Sequence, residues 1–185
     1  DAAISGARQI ALGETDVILA GGVESMSRAP WVLPKTERPF PMANLELANS
    51  TLGWRLINKR MPKEWTVSLG EATEQLREKY GIDRERQDAF AARSHELADK
   101  AWTEGRFDSL TVSVPGVDLA RDETIRAGVT EEKLAGLRTV FRSENGTVTA
   151  GNASPMNDGA SAVWLGSAAG GEKLGLTPKV RIAGW

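Results

Sequence analysis

Apolar and polar residues follow a regular pattern near both ends of the chain, and the pattern predicts helices and buried strands. Residues 1–13 carry apolar side chains at helical spacing and predict a helix. The apolar run at 15–20 that follows is typical of a strand buried on both faces. Residues 160–165 and 180–183 predict two more strands, with a turn of helix at 171–174 between them. Helices that alternate with buried strands predict an α/β fold.

The middle of the chain has a different pattern. Repeated prolines between Ala29 and Thr66 predict a long irregular excursion, which we expect aromatic anchors to hold. The expected anchors are Trp31, Trp54 and Trp65. Ser68 and Asp83 are expected to cap two helices that end near Gly81 and Gly105. Ser68-x-x-Glu71 has the form of a capping box.

The apolar positions also predict which face of each middle helix points inward. For the first helix these positions are Leu69, Ala72, Thr73, Leu76 and Tyr80. For the second they are Phe90, Ser94, Leu97, Ala98 and Ala101. Alternation at 110–114 predicts a half-exposed strand, and Thr130 is expected to cap a short helix.

Composition and charge favour an ordinary globular protein. Of the 185 residues, 41% are hydrophobic and 26% are charged, and the net charge is −2 with no block of like charges. This balance argues against binding to nucleic acid or to an acidic membrane surface. No apolar run approaches the roughly 20 residues that span a bilayer. We therefore expect a cytoplasmic location.

The chain contains no cysteine and one histidine, His95. These residues alone therefore cannot supply a disulfide, a cysteine nucleophile, a thiolate metal site or a cluster of histidine ligands. We interpret His95 as a surface histidine and Glu24, at the end of a strand, as a structural residue. No metal site is expected.

The stretch Gly146-Thr-Val-Thr-Ala-Gly-Asn-Ala-Ser154 consists almost entirely of small side chains. Glycine is required where the backbone has positive φ or where another group lies against it. Two explanations remain open from the residues alone. Either strands cross tightly here inside the core, or an extended ligand lies along the exposed backbone and the Ser154 hydroxyl.

Several segments of the chain resemble the thiolase family of acetyl-CoA acetyltransferases and 3-ketoacyl-CoA thiolases. The matching segments, in family order and spacing, are 20–27, 87–91, 125–126, 146–154 and 157–160. The resemblance implies an α/β thiolase fold fragment: part of the N-terminal core domain at 1–28, an inserted loop (lid) domain at 29–145, and a return to the core sheet and the start of the second core domain at 146–185.

The resemblance also implies that the chain is an interior piece of a longer polypeptide. The helix is under way at Asp1, and the predicted strand Lys179–Trp185 stops without a turn. The family's cysteine nucleophile would lie a few residues before Asp1, and its Gly-His-Pro and Cys-x-Gly-Gly segments would follow Trp185. The chain would then supply the CoA-binding lid and no catalytic residue, and we expect it to be inactive alone.

The resemblance implies six CoA-binding positions. Five match family contacts, namely Arg126, Phe141, Ala150, Gly151 and Ser154, and the sixth, Leu69, could line the acyl or pantetheine tunnel. By this resemblance Arg126 and Phe141 lie near the adenine, and Ser154 hydrogen-bonds the pantetheine arm. Many members carry His-Met-Gly where this chain has Ser68-Leu-Gly70, which leaves the acyl-group preference open.

The implied activity is that of a transferase: acyl-CoA and acetyl-CoA form 3-ketoacyl-CoA and CoA, or the reverse thiolysis, through an acyl-cysteine enzyme. CoA enters as substrate, and no cofactor is implied. The family also implies fatty-acid or short-chain ketoacyl-CoA metabolism and a homo-oligomer, a dimer or homotetramer. The alternative left open is a non-catalytic thiolase-like CoA-binding or interaction module.

Overall fold

The computed structural model describes residues 1–184, which form two compact units. One unit combines Asp1–Pro30 with the residues from Asn157 onward, and the other spans Trp31–Met156. Residues 146–156 thus belong to the second unit, whereas the sequence placed them with the returning sheet. The identification of the units as core and lid domains stays a prediction.

The first unit contains a two-stranded antiparallel sheet. Its elements are α1 (Ala2–Ala11), β1 (Val17–Glu24), a short 3-10 helix (Met26–Arg28), β4 (Gly159–Gly166) and α5 (Ala168–Leu174). The strands pair from Val17 opposite Gly166 to Glu24 opposite Gly159. The helix and strands predicted at 1–13, 15–20, 160–165 and 171–174 are therefore confirmed within a few residues.

Helix α1 packs on one face of this sheet through Gly6, which is buried. A Cβ atom at Gly6 would lie 2.9 Å from Ile18 Cγ2 and 3.1 Å from Leu165 Cδ1, so glycine permits the close approach. On the opposite face Leu19 and Trp164 lie across from each other, and both are exposed. The expectation of a strand buried on both faces is wrong for these residues, because α1 covers only the face that carries Ile18 and Leu165.

The second unit is built around helices. Its elements are β2 (Trp31–Val32), β3 (Ala48–Asn49), a 3-10 helix (Lys63–Trp65), α2 (Leu69–Tyr80), α3 (Arg84–Thr103) and α4 (Glu131–Ala135). The predicted caps are confirmed: the side chains of Ser68, Asp83 and Thr130 each accept a backbone N–H three residues later. The capping box is only half formed, because the Glu71 carboxylate binds Arg142.

The predicted inward faces of α2 and α3 are largely wrong. On α2, Leu69, Leu76 and Tyr80 are exposed, and the buried residue is Glu74. On α3, Phe90 and Leu97 are exposed, Ser94 is exposed, and the buried residue is Asp88. Both helices turn a polar face toward their own unit, because the α2 face meets buried backbone N–H groups and the α3 face meets the Asn152 side chain.

Three further expectations differ from the structure. Residues 110–114 and 180–183 have no regular secondary structure, since neither meets a strand to pair with among the described residues. Trp185, the end of the predicted last strand, lies outside those residues. The excursion at 29–66 is irregular as predicted, but its tryptophans Trp31, Trp54 and Trp65 are exposed and do not anchor it. Every helix within 1–184 is too short or too polar to cross a bilayer.

Candidate functional site

The small-residue segment 146–154 lies in the second unit, and its first half is buried. Thr147, Val148 and Thr149 are almost completely enclosed, whereas Ala150 and Ser154 are exposed. Buried backbone N–H and C=O groups need hydrogen-bond partners. Glu74 of α2 accepts two of its backbone N–H groups, and most of the other partners lie within the segment or in the residues just before it.

Glu74 of α2 binds the backbone of this segment directly. The N–H groups of Thr147 and Val148 donate to Glu74 Oε1 at 2.7 and 2.8 Å. The Thr147 hydroxyl donates to Oε2 at 2.9 Å, and Arg77 Nε donates to the same oxygen at 3.1 Å. Glu74 has no exposed surface, so one fully enclosed carboxylate holds two consecutive peptide groups.

The surroundings of Glu74 keep it ionised. Burial raises the pKa of this carboxyl, but the N–H groups of Val148 and Thr147, the Thr147 hydroxyl and Arg77 together outweigh burial, and the pKa lies below its ordinary value of 4.5. A buried charge with this many donors is satisfied rather than strained. At neutral pH the anion is therefore a fixed structural acceptor.

Asp88 of α3 acts on the same segment through Asn152. Asn152 Nδ2 donates to Asp88 Oδ1 and to the Thr147 carbonyl, both at 3.0 Å, and Asn152 Oδ1 accepts the Thr149 N–H at 2.8 Å. Arg84 Nε donates to the other Asp88 oxygen at 2.6 Å. Gln87 Nε2 adds a bond to the Thr147 hydroxyl oxygen at 3.0 Å.

The segment before this stretch folds back beside it and is tied to α2 as well. Thr139 and Thr149 form an antiparallel bridge, and the Val140 N–H donates to the Val148 carbonyl at 2.9 Å. Arg142 donates two hydrogen bonds to Glu71, at 2.9 and 2.6 Å, and one to Glu78 at 2.7 Å. The Arg142 guanidinium lowers the pKa of Glu71 to about 2.

Phe141, beside Arg142, lies with its ring against Gly70 of α2. A Cβ atom at Gly70 would overlap that ring, so the absence of a side chain there makes room for Phe141. Leu69, the residue before Gly70 and the first of the helix, is almost fully exposed, at 88%. The structure thus brings two of the six predicted CoA contacts, Leu69 and Phe141, to the beginning of α2.

The glycines of the small-residue segment are explained by packing within the chain. A Cβ atom at Gly151 would lie 2.5 Å from both Leu134 Cδ2 and Leu137 Cδ1. At Gly146 it would overlap the Arg142 carbonyl. Close packing, as in the first of the two open explanations, therefore accounts for these glycines, but their neighbours are leucine side chains and the Arg142 carbonyl rather than crossing strands. Contact of Gly151 with CoA stays a prediction, as it does for exposed Ala150 and Ser154.

Arg126 is exposed and lies beside α3. Its backbone N–H donates to His95 Nδ1 at 3.3 Å, and His95 is half-buried. A cleft of about 520 Å³ lies between α3 and residues 127–131. Its lining includes several alanines as well as charged side chains. Lys133 Nζ donates to the Gly128 carbonyl at 2.8 Å, which ties α4 to this wall.

Sequence reasoning missed the polar residues that hold the segment. Glu74, Asp88 and Arg142 belong to no predicted apolar stripe, and each is a residue type that is usually found at the surface. One signal could have indicated Glu74: it lies three positions after Glu71 and three before Arg77, which places all three on one helical face. Within residues 1–184 no group of three His, Cys, Asp or Glu side chains could hold a metal ion.

Comparison with known proteins identifies relatives over nearly the whole chain. The family model described as "Thiolase, N-terminal domain" matches residues 1–169. The chain is 43% identical to the beta-ketoadipyl-CoA thiolase of Pseudomonas putida, over 96% of this chain and 46% of that protein. It is 44% identical to the acetyl-CoA acetyltransferase of Pseudomonas aeruginosa, over 97% and 46% of the two chains.

Solved structures give the same relation. The acetyl-CoA acetyltransferase of Bacillus anthracis matches with a TM-score of 0.76 and 39% identity, over 96% of this chain and 45% of that one. Human mitochondrial 3-ketoacyl-CoA thiolase in complex with CoA matches with a TM-score of 0.79 and 30% identity, over 96% and 44%. The chain spans about half the length of the curated relatives it matches.

Proposed function

The chain belongs to the thiolase family, and we propose that it supplies the CoA-binding lid of a thiolase-type acyltransferase. The overall reaction joins acyl-CoA and acetyl-CoA to 3-ketoacyl-CoA and CoA, or runs in reverse as thiolysis, through an acyl-cysteine enzyme. CoA enters as a substrate, and no cofactor takes part. The observation that carries the proposal is the likeness, over 96% of the chain, to a thiolase structure that contains CoA.

The geometry of the second unit supports a binding role for the small-residue segment. Thr147 to Thr149 are locked by buried hydrogen bonds, while Ala150 and Ser154, further along the same segment, remain exposed. A rigid backbone that presents small exposed residues can bind an extended ligand without first paying the entropy of ordering itself. Ser154 can donate or accept a hydrogen bond at such a surface.

Arg126 is proposed to hold the nucleotide end of CoA. Its side chain is exposed, and its backbone is tied to His95. A guanidinium presents planar donors to phosphate and can stack on adenine. Phe141 is proposed as the aromatic contact beside the adenine. Leu69, Ala150, Gly151 and Ser154 are proposed to line the path of the pantetheine arm.

This chain has no cysteine, so it cannot form an acyl-cysteine by itself. We therefore propose that it binds CoA and turns over no substrate when alone. In the longer polypeptide it would act in fatty-acid or short-chain ketoacyl-CoA metabolism, as a cytoplasmic homo-oligomer such as a homotetramer.

Calorimetric titration of the chain with CoA tests the proposal. We expect saturable binding that Arg126→Ala weakens by about tenfold, as removal of one charge-assisted contact should. Arg86→Ala, which removes an exposed arginine on α3, is the matched control and should bind like the unaltered chain. No binding, or equal losses in the two variants, would contradict the assignment.

Thiolysis of acetoacetyl-CoA separates the enzyme from its alternative. The chain alone should show no turnover, and the complete polypeptide should show turnover. A complete polypeptide that binds CoA without turnover would favour the non-catalytic module.

A further inference from the structure

The two carboxylates that hold the small-residue segment lie outside the six proposed contact positions. Glu74 and Asp88 are each buried and come from different helices. Glu74 accepts the backbone N–H of Thr147, whereas Asp88 accepts from the Asn152 side chain, which also donates to the Thr147 carbonyl. They do not line the exposed surface that CoA would touch. Their contacts nevertheless determine where that surface lies.

We infer that Glu74 is a positioning residue for CoA binding, which acts by fixing the peptide groups of Thr147 and Val148 and thereby the placement of Ala150 and Ser154. The inference rests on the proposed function, since it assumes that this segment binds CoA. It adds a residue that touches no ligand.

The geometry makes Glu74 the main restraint at the start of the segment. Its Oε1 accepts two consecutive backbone N–H groups at 2.7 and 2.8 Å. Because peptide groups are planar, fixing two in succession leaves few ways for the chain to continue toward Ala150. Apolar contacts could not replace this restraint, because the N–H groups would then be buried without acceptors.

Asp88 of α3 restrains the same segment, but it does so through a side chain. It orients Asn152, whose side-chain oxygen accepts the Thr149 N–H at 2.8 Å. The segment is thus restrained on both sides of Ala150. If Glu74 and Asp88 only stabilised the unit as a whole, their bonds would not need to lie at the segment that carries the proposed CoA contacts.

Two substitutions at Glu74 test the inference. Glu74→Leu keeps the approximate size and removes every acceptor, and Glu74→Gln keeps one carbonyl oxygen that can still accept the Thr147 and Val148 N–H groups. Glu85→Gln, at an exposed position in the first turn of α3, is the matched control. Circular dichroism identifies a temperature at which all the variants remain folded.

At that temperature, titration with CoA should show binding weakened about tenfold or more in Glu74→Leu, since two hydrogen bonds to a charged acceptor are lost. Glu74→Gln should recover most of the affinity, and Glu85→Gln should match the unaltered chain. Equal affinity in Glu74→Leu and the unaltered chain would overturn the inference. So would a loss in Glu74→Gln as large as that in Glu74→Leu.

Amide hydrogen exchange of Thr147 and Val148 gives a readout that does not depend on CoA. In Glu74→Leu these two amides should exchange faster by about tenfold or more, while amides inside α3 keep their protection. If the unaltered chain binds no CoA, the proposed function fails, and this measurement still decides whether Glu74 positions the segment. Unchanged exchange at both amides would refute that role.

Discussion

Different kinds of interaction stabilise the interior of each of the two units of this chain. In the first unit, Gly6 lets α1 approach Ile18 and Leu165, and the contact is apolar. In the second unit the corresponding close contact is polar, because Glu74 and Asp88 of two helices bind a segment of small residues. The comparison teaches that one chain can pack small residues in two ways: through apolar contacts in the first unit and through buried carboxylates in the second.

Removal of the Glu74 carboxylate should have the largest effect on this contrast. Glu74→Ala leaves the Thr147 and Val148 N–H groups without their acceptor and removes one of the partners of Arg77. Breaking a buried charged contact from one side lowers the free energy of unfolding by about 3–5 kcal/mol. Hydrogen exchange by mass spectrometry should show lost protection in the peptides that cover Thr147 and Val148 and unchanged protection in β1 and β4.

Glu78→Ala is a suitable control for that experiment, since Glu78 is on the same helix and its side chain is half exposed. A loss of protection in both units to the same degree would mean that they do not differ as described.

A larger side chain at Gly6 should affect the first unit instead. Gly6→Leu forces its side chain against Ile18 and Leu165, and overpacking of this kind costs about 1–3 kcal/mol. Peptides of β1 and β4 should lose protection, and those of α2 and α3 should not. Gly22→Ala is the control, because a Cβ atom there meets no other atom within 4 Å. The contrast between the units would be refuted if Gly6→Leu and Gly22→Ala behaved alike.

Mild acid should produce the smallest effect and should act first on the second unit. The pKa of Glu74 is lowered in the folded chain from 4.5, so its contribution is complete above that value and is lost as the pH falls toward the folded pKa. The first unit also has carboxyls of lowered pKa, Asp16 beside Lys173 and Asp158 beside Ser27, but they are exposed. Exposed ion pairs and hydrogen bonds contribute little.

Hydrogen exchange at about pH 4, corrected for the intrinsic rate, checks this order. Protection of Thr147 and Val148 should decline before that of β1. Earlier loss in β1 would show that surface carboxyls, not the buried one, govern the response to acid.

The sequence predicts the elements of this chain well where local signals decide them. Ser68, Asp83 and Thr130 begin helices as predicted, because a cap requires only a side-chain oxygen and the next turn of backbone. The strand at 110–114 fails for the opposite reason. Alternation indicates a strand only if another strand is available to pair with it, and residues 110–114 meet none.

The candidate site was predicted in part. Family resemblance supplied Leu69, Phe141 and Ser154, and the structure places Phe141 against Gly70 beside Leu69. It could not supply the residues that hold the site, because periodicity treats Glu74 and Asp88 as solvent-facing. Their burial depends on donors in a segment more than sixty residues away: backbone N–H groups for Glu74 and the Asn152 side-chain amide for Asp88.

By itself, then, the sequence determined the positions of the helices and of the two long strands within a few residues, the caps Ser68, Asp83 and Thr130, and the membership of the thiolase family. Only the tertiary structure decided which face of α2 and α3 points inward. The reason is physical. An apolar stripe shows where a helix can bury apolar surface, but buried hydrogen-bond donors in another segment need acceptors. Here two backbone N–H groups bind Glu74 and the Asn152 side chain binds Asp88, so the carboxylates point inward, while Leu76 and Phe90 are exposed.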